Sequence, residues 1–153
     1  MPTLTRRRDP HSPNETWRIY FGDVEAGTIA ERPEGPSGSP VWQWFCGFYP
    51  GSHPGEQQLG RASTYEQARD AFQAAWNVFL SNRSQQDFDE WRQHQAFVAW
   101  KDQMREAGCP QPTQTKSGGS RCFCGAVIDL KTSTEHIYSH HMPTARRLVP
   151  GSS

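Results

Sequence analysis

Two cysteines and three histidines stand close together near the C-terminal end of the 153-residue chain. Cys122 and Cys124 are separated by one residue, and His136, His140 and His141 follow after a spacer of eleven residues. Zinc in proteins takes four thiolate or imidazole ligands in a tetrahedron. Two thiolates on a tight turn supply half of such a site, and two histidines from one short helix supply the rest. The pattern predicts one zinc ion bound by Cys122, Cys124, His136 and either His140 or His141.

The residues around these ligands predict a small module over 121–145. Residues 126–130 can form a short strand, and Thr132 or Ser133 could cap a short helix that places His136 and His140 one turn apart. The order of cysteine turn, strand and histidine helix is that of a ββα zinc finger. The segment has few apolar residues, so metal binding would have to supply much of its stability.

The run His136-Ile-Tyr-Ser-His-His-Met-Pro-Thr144, preceded by Cys124-Gly125, resembles the single zinc finger of Ros/MucR-type prokaryotic transcriptional regulators. The resemblance covers this module alone, and only Phe123 separates the two cysteines, which is a closer spacing than in that family. The resemblance implies zinc binding and contact with DNA.

Charge argues for a protein partner over nucleic acid. Residues 108–153 carry five Lys/Arg and two Asp/Glu, a net charge of +3, whereas the whole chain has a net charge of zero. The expected helix has no Lys or Arg between Ser133 and His141. A finger with so few phosphate contacts would bind nucleic acid weakly. We therefore expect a non-enzymatic interaction or regulatory module, with nucleic-acid binding through the finger as the alternative.

The first two-thirds of the chain predicts an α+β domain over 16–107. Strand formers at 17–21, 27–31 and 41–49 predict a three-stranded antiparallel sheet. Two helices should follow, the first capped by Ser63 and the second by Ser84, each with an acidic residue three positions later.

The second helix has apolar residues on two opposed sides. One side carries Phe88, Trp91 and Val98, and the other carries Phe97, Trp100 and Met104. A helix on the surface of a monomer needs only one apolar side, so this helix is either sandwiched or kinked within the chain, or its second side meets a partner. Self-association through Phe97, Trp100 and Met104 is the form of partner contact that we expect, because the polar tail is a poor cover.

The remaining segments are polar or rich in Gly, Ser and Pro. We expect a disordered arm at 1–15, in which Arg6, Arg7 and Arg8 are solvated charge, a flexible linker at 108–120 and a disordered tail at 146–153. No run of the sequence has the length and apolarity of a membrane span or a secretory signal, which favours a cytoplasmic location and no membrane partner.

Catalysis finds little support in the sequence. A Cys-dependent enzyme would have to use Cys46, His53 and Asp23, but Cys46 lies in the middle of an aromatic strand and suits a buried core position. Trp17, Trp42 and Trp44 could line a groove for single-stranded nucleic acid, although core packing is the simpler interpretation.

Two segments of the front domain, Trp-Arg-Ile-Tyr-Phe-Gly-Asp-Val at 17–24 and Cys-Gly-Phe-Tyr-Pro-Gly-Ser at 46–52, resemble a group of uncharacterised small bacterial proteins. That resemblance implies no activity and no site residues.

Overall fold

A computed structural model describes residues 3–33 and 38–142 of the chain. These residues fall into two compact units that divide within a helix, between Trp91 and Arg92. The sequence predicted the division at a linker over 108–120, so the structure corrects that boundary. The predicted tail at 146–153 lies outside the described residues.

The first unit is built on an antiparallel sheet with the strand order β1-β2-β3-β4-β5. The strands are β1 (Leu4–Arg8), β2 (Thr16–Phe21), β3 (Val24–Pro33), β4 (Pro40–Cys46) and β5 (Gln58–Ala62). The α+β class and the antiparallel sheet are confirmed. The prediction of three strands is wrong, because it found β2, β3 and β4 and missed the strand at each edge.

The two missed strands lie at the sheet edges, where no alternation of apolar residues is needed. β1 contains three consecutive arginines, and Leu59 of β5 is 65% exposed. The residues predicted as a disordered arm therefore include a strand paired with β2. The arginines are also more than solvated charge: the guanidinium of Arg6 lies 4.0 Å from the ring centre of Trp17, and that of Arg7 lies 4.8 Å from the ring centre of Tyr20.

Helix α1 (Tyr65–Ser81) covers part of the sheet. Its N-cap is Thr64, one residue after the predicted Ser63, and the Thr64 hydroxyl accepts a hydrogen bond from the backbone N–H of Gln67. The helix packs against β3, β4 and β5. The buried core of this unit is formed by Ile19, Val24, Ala26, Ile29, Trp42, Cys46, Phe48, Ala68, Phe72, Trp76 and Phe79.

Helix α2 (Gln85–Glu106) begins in the first unit and ends in the second. The backbone N–H of Ser84 donates to the Asp87 carboxylate, and the N–H of Asp87 donates to the Ser84 hydroxyl. The predicted start of this helix is thereby confirmed. Phe88 and Trp91 pack against the core of the first unit.

The second unit contains the rest of α2, a short 3₁₀ turn (Pro112–Gln114), a hairpin of β6 (Gly119–Arg121) and β7 (Val127–Asp129), and helix α3 (Ser133–His140). Its buried core consists of Ala96, Trp100, Met104, Cys122, Ile128 and Ile137. The predicted linker at 108–120 thus contains regular structure and a buried proline at Pro112.

The second apolar side of α2 is covered within the chain. Trp100 is 2% exposed and Met104 is 1% exposed, and both belong to the core that includes Ile128 and Ile137. Phe97 packs against the same core. The expectation that the tail would be a poor cover is wrong, and self-association through this side loses its premise. In the described residues, no helix is both long and apolar enough to cross a membrane.

Candidate metal centre

The turn between β6 and β7 carries the two cysteines. The backbone N–H of Cys122 donates to the carbonyl of Ala126 over 2.8 Å, and the N–H of Gly125 donates to the carbonyl of Cys122 over 2.8 Å. Gly125 has a φ of +99°, which favours glycine at this position. Cys122 is buried in the core of the unit, whereas Cys124 is exposed.

Helix α3 carries His136 next to the buried Ile137 and brings it to the cysteine turn. The Asp129 carboxylate accepts hydrogen bonds from the backbone N–H groups of Lys131 and Thr132, which fixes the approach to the helix. These hydrogen bonds from the backbone of Thr132 and Lys131 hold the pKa of the Asp129 carboxyl below its ordinary value. His141 is the C-cap of α3 and has a non-helical φ of −124° and ψ of 10°.

The ligand atoms of Cys122, Cys124, His136 and His141 all lie within 4.8 Å of one another. Sγ of Cys122 is 3.4 Å from Nε2 of His141, and Sγ of Cys124 is 3.4 Å from Nε2 of His136. The two Nε2 atoms are 3.2 Å apart. The group has the composition and spacing that can hold a metal ion.

The two sulfur–nitrogen distances and the nitrogen–nitrogen distance fit a tetrahedral ion. With metal–sulfur bonds of about 2.3 Å and metal–nitrogen bonds of about 2.0 Å, tetrahedral angles separate sulfur from nitrogen by about 3.5 Å and nitrogen from nitrogen by about 3.3 Å. The observed 3.4 Å and 3.2 Å agree with both values. Hydrogen bonds among the four side chains explain these distances less well. Each Nε2 atom lies close to both a sulfur and the other Nε2 atom, but a neutral imidazole has at most one proton on Nε2 with which to donate.

His140 is not a member of this group, although the sequence left it open as the fourth ligand. Its Nδ1 atom lies 3.3 Å from the carbonyl oxygen of His136, and its ring stacks on the His136 ring with the centres 4.8 Å apart. The sequence spacing suggested His136 and His140 on one helix face. The structure instead brings in His141, whose backbone lies beyond the end of the helix.

The surroundings favour imidazoles in their neutral, ligating form. Burial lowers the pKa of His136, and the nearby His140 adds to this effect. Burial is also the main cause of the lowered pKa of His141, with smaller contributions from His136 and His140. A ring that stays neutral keeps a lone pair on Nε2 for a metal.

Trp100 is a site residue that the sequence analysis did not identify. Its indole Nε1–H donates a hydrogen bond to Sγ of Cys122 over 3.3 Å, and both residues are buried. A hydrogen-bond donor beside a ligand atom of this kind orients the ligand for a metal. The available signal was the second apolar side of α2, for which the sequence leaves open a cover within the chain or a contact with a partner.

The other sequence candidates lie elsewhere. Cys46 is 1% exposed, and burial raises the pKa of its thiol to about 12, so it is unsuited to act as a nucleophile. His53 is exposed in a loop. Trp42 is buried, with Trp17 and Trp44 packed against the same core, as the simpler interpretation of these tryptophans predicted.

Comparison with known proteins adds nothing to this geometry. No protein-family model, no curated protein and no solved structure matches the chain.

Proposed function

We propose that the second unit binds one zinc ion through Cys122, Cys124, His136 and His141, and that the ion serves to hold this unit together. The observation that carries the proposal is the convergence of two sulfurs and two imidazole nitrogens within 4.8 Å of one another, with two sulfur–nitrogen distances and the nitrogen–nitrogen distance close to tetrahedral values. Two thiolates and two imidazoles form a common ligand set of structural zinc. All four positions are filled by the protein, which leaves no open position for a substrate.

The size of the unit supports a structural role for the ion. Among the described residues of the unit, six form its buried core, and one of them, Cys122, is itself a proposed ligand. The strands of its hairpin have three residues each. Small units of this kind generally depend on a metal or on disulfides for stability.

We further propose that the protein is a non-enzymatic interaction or regulatory module whose partner is a protein. The surface of the second unit offers exposed apolar side chains from β7 and from α3: Val127 is 75% exposed and Tyr138 is 36% exposed. Leu130, just after β7, is 59% exposed. Helix α3 itself has no Lys or Arg. A helix that exposes an aromatic side chain but has no Lys or Arg suits a protein surface better than a phosphate backbone.

Cobalt(II) substitution tests the metal proposal. Titration of metal-free protein with Co²⁺ should give the intense visible bands of a tetrahedral ion and a sulfur-to-metal charge-transfer band for two thiolates. Zinc should then displace the cobalt at a ratio of one ion per chain. Weak bands typical of an octahedral ion, or no saturable spectrum, would count against the proposed site.

Nucleic-acid binding is the alternative that the resemblance to Ros/MucR-type fingers raises. A fluorescence anisotropy titration of zinc-loaded protein with duplex DNA at low and moderate salt separates the two proposals. We expect weak binding that disappears with salt and shows no dependence on sequence. Tight, sequence-dependent binding that survives moderate salt would favour the alternative.

A further inference from the structure

The first unit contains a cleft that the metal centre does not use. Five strands spaced about 4.8 Å apart make a sheet about 19 Å wide, whereas one helix is about 10 Å across. Helix α1 lies over β3, β4 and β5. The inner face of the sheet near β1 therefore extends beyond α1, and a cleft of about 480 Å³ remains beside this helix. This volume is within the usual range for small-molecule sites.

The lining of the cleft divides into an apolar floor and a charged rim. Ile19, Ile29 and Phe72 form the floor, and each is at most 5% exposed. Arg6, Arg69 and Glu66 stand on the rim. Arg69 is paired with Asp70 over 3.5 Å, so Arg6 is the rim guanidinium on which an anionic group would lie.

Arg6 is held in place by aromatic rings. Its guanidinium carbon lies 4.0 Å from the ring centre of Trp17 and 4.8 Å from that of Tyr65. The Trp17 ring is in turn oriented by a hydrogen bond of 2.8 Å from its Nε1–H to the carboxylate of Glu15. Among the described residues, no carboxylate forms an ion pair with Arg6. Its planar hydrogen-bond donors are thus positioned but, in the part of the chain that the structure describes, lack an anionic partner.

We propose that this cleft binds a small amphipathic carboxylate, with the carboxylate on Arg6 and an apolar chain on the floor formed by Ile19, Ile29 and Phe72. The guanidinium fork of arginine matches a carboxylate in two parallel hydrogen bonds. Leu4 and Tyr65 also line the cleft and are only partly buried, so an apolar chain can remove their surface from water, which a bare inorganic anion cannot do. The site goes beyond the proposed zinc module, since every residue that lines it belongs to the first unit.

The test uses octanoate, 1-octanol and inorganic phosphate as probes in isothermal titration calorimetry of the full-length protein. Octanoate should bind at one site per chain, and at least about ten-fold more tightly than either other probe, since only octanoate uses both rim and floor. The absence of octanoate binding would overturn the proposal. The proposal would also be overturned if octanol or phosphate bound as tightly as octanoate.

The neighbouring arginine provides a matched control. Arg7 stacks on Tyr20 and does not line the cleft. Arg6→Ala should weaken octanoate binding at least about ten-fold, whereas Arg7→Ala should change it less than about two-fold. An equal loss in both variants would indicate attraction to general surface charge and would refute the site. If Arg6→Ala unfolds, the comparison of octanoate with octanol in the wild-type protein still decides.

Discussion

The indole N–H of Trp100 donates a hydrogen bond to the sulfur of Cys122 over 3.3 Å. Trp100 lies on α2 and Cys122 on the turn between β6 and β7, twenty-two positions later in the chain. Helix α2, the longest in residues 3–33 and 38–142, therefore contacts a proposed metal ligand directly. Metal binding and the packing of the C-terminal part of α2 should accordingly depend on each other.

Replacement of Trp100 by phenylalanine tests this relationship. Trp100→Phe keeps an aromatic ring in the core but removes the N–H donor to Cys122. Loss of such a partner of a ligand typically weakens metal binding by about ten-fold or more. Competition for zinc with a chromophoric chelator would measure the change.

Trp76→Phe is the control for that experiment. Trp76 is also buried, but its Nε1 has no hydrogen-bond partner among the described residues, and it belongs to the core of the first unit. The zinc affinity of the Trp76→Phe variant should equal that of the wild-type protein. Equal zinc affinity in Trp100→Phe and the wild-type protein would show that the hydrogen bond to Cys122 does not matter for the ion.

Arg83 should be important for the stability of the first unit. Its side chain is 3% exposed, it donates hydrogen bonds to the carbonyl of Gly51 and to the carboxylate of Glu56, and it lies 3.8 Å from the Asp87 carboxylate. Arg83→Ala would remove the cation from this partly buried network, and we expect a loss of about 3 kcal/mol in the free energy of unfolding.

The exposed Arg69 is the comparison in urea denaturation. Arg69 pairs with Asp70 over 3.5 Å, and its side chain is 59% exposed, so Arg69→Ala should change the free energy of unfolding by less than about 1 kcal/mol. Similar losses in the two variants would mean that the Arg83 network contributes no more than a surface pair.

Truncation tests the boundary between the units. A chain ending at Gly108 keeps Trp100 and Met104 but loses Ile128 and Ile137, which share their core. This shorter protein should expose apolar surface, bind a hydrophobic dye and self-associate in light scattering. A chain ending at Gln95 keeps Phe88 and Trp91 and should remain monomeric and unfold cooperatively. A well-behaved monomer that ends at Gly108 would restore the boundary predicted from the sequence.

The buried thiol of Cys46 predicts a particular dependence of stability on pH. Burial raises its pKa from 9.0 to about 12, so the folded state favours the neutral thiol. The resulting contribution to stability is fully present below pH 9 and is lost as the pH rises from 9 towards 12. Urea denaturation of the wild-type protein and Cys46→Ala from pH 8 to 10.5 should show a steeper fall in the wild type. Parallel profiles would contradict the raised pKa.

The sequence predicted the helices and strands in which a single structural requirement, such as burial of one face or capping, determines the residue types. The aromatic alternation of β2 and β4, the apolar stripe of α1 and the capping of α2 by Ser84 and Asp87 all led to correct elements. Edge strands β1 and β5 were missed because an exposed edge puts little constraint on side-chain type. In particular, nothing in the sequence indicates that the Arg6 guanidinium lies against the Trp17 ring.

In the proposed site too, the residues that the sequence predicted are those whose type is determined by one requirement. Residue type and spacing identified Cys122, Cys124 and His136, because few other roles require those residues together. The choice between His140 and His141 depended on where α3 ends, and helix ends are poorly determined by sequence. The role of Trp100 depended on tertiary packing, which the apolar pattern of α2 could not assign to an intrachain core or to a partner.

The zinc content of two adjacent histidine variants tests the central proposal most directly. His141 belongs to the four-ligand group, whereas His140, the residue before it, does not. After expression without added metal and extensive dialysis, elemental analysis should find about one zinc per chain in the wild-type protein and in His140→Ala, and much less in His141→Ala. No zinc in the wild-type protein, or full zinc content in His141→Ala with loss in His140→Ala, would contradict the site as described.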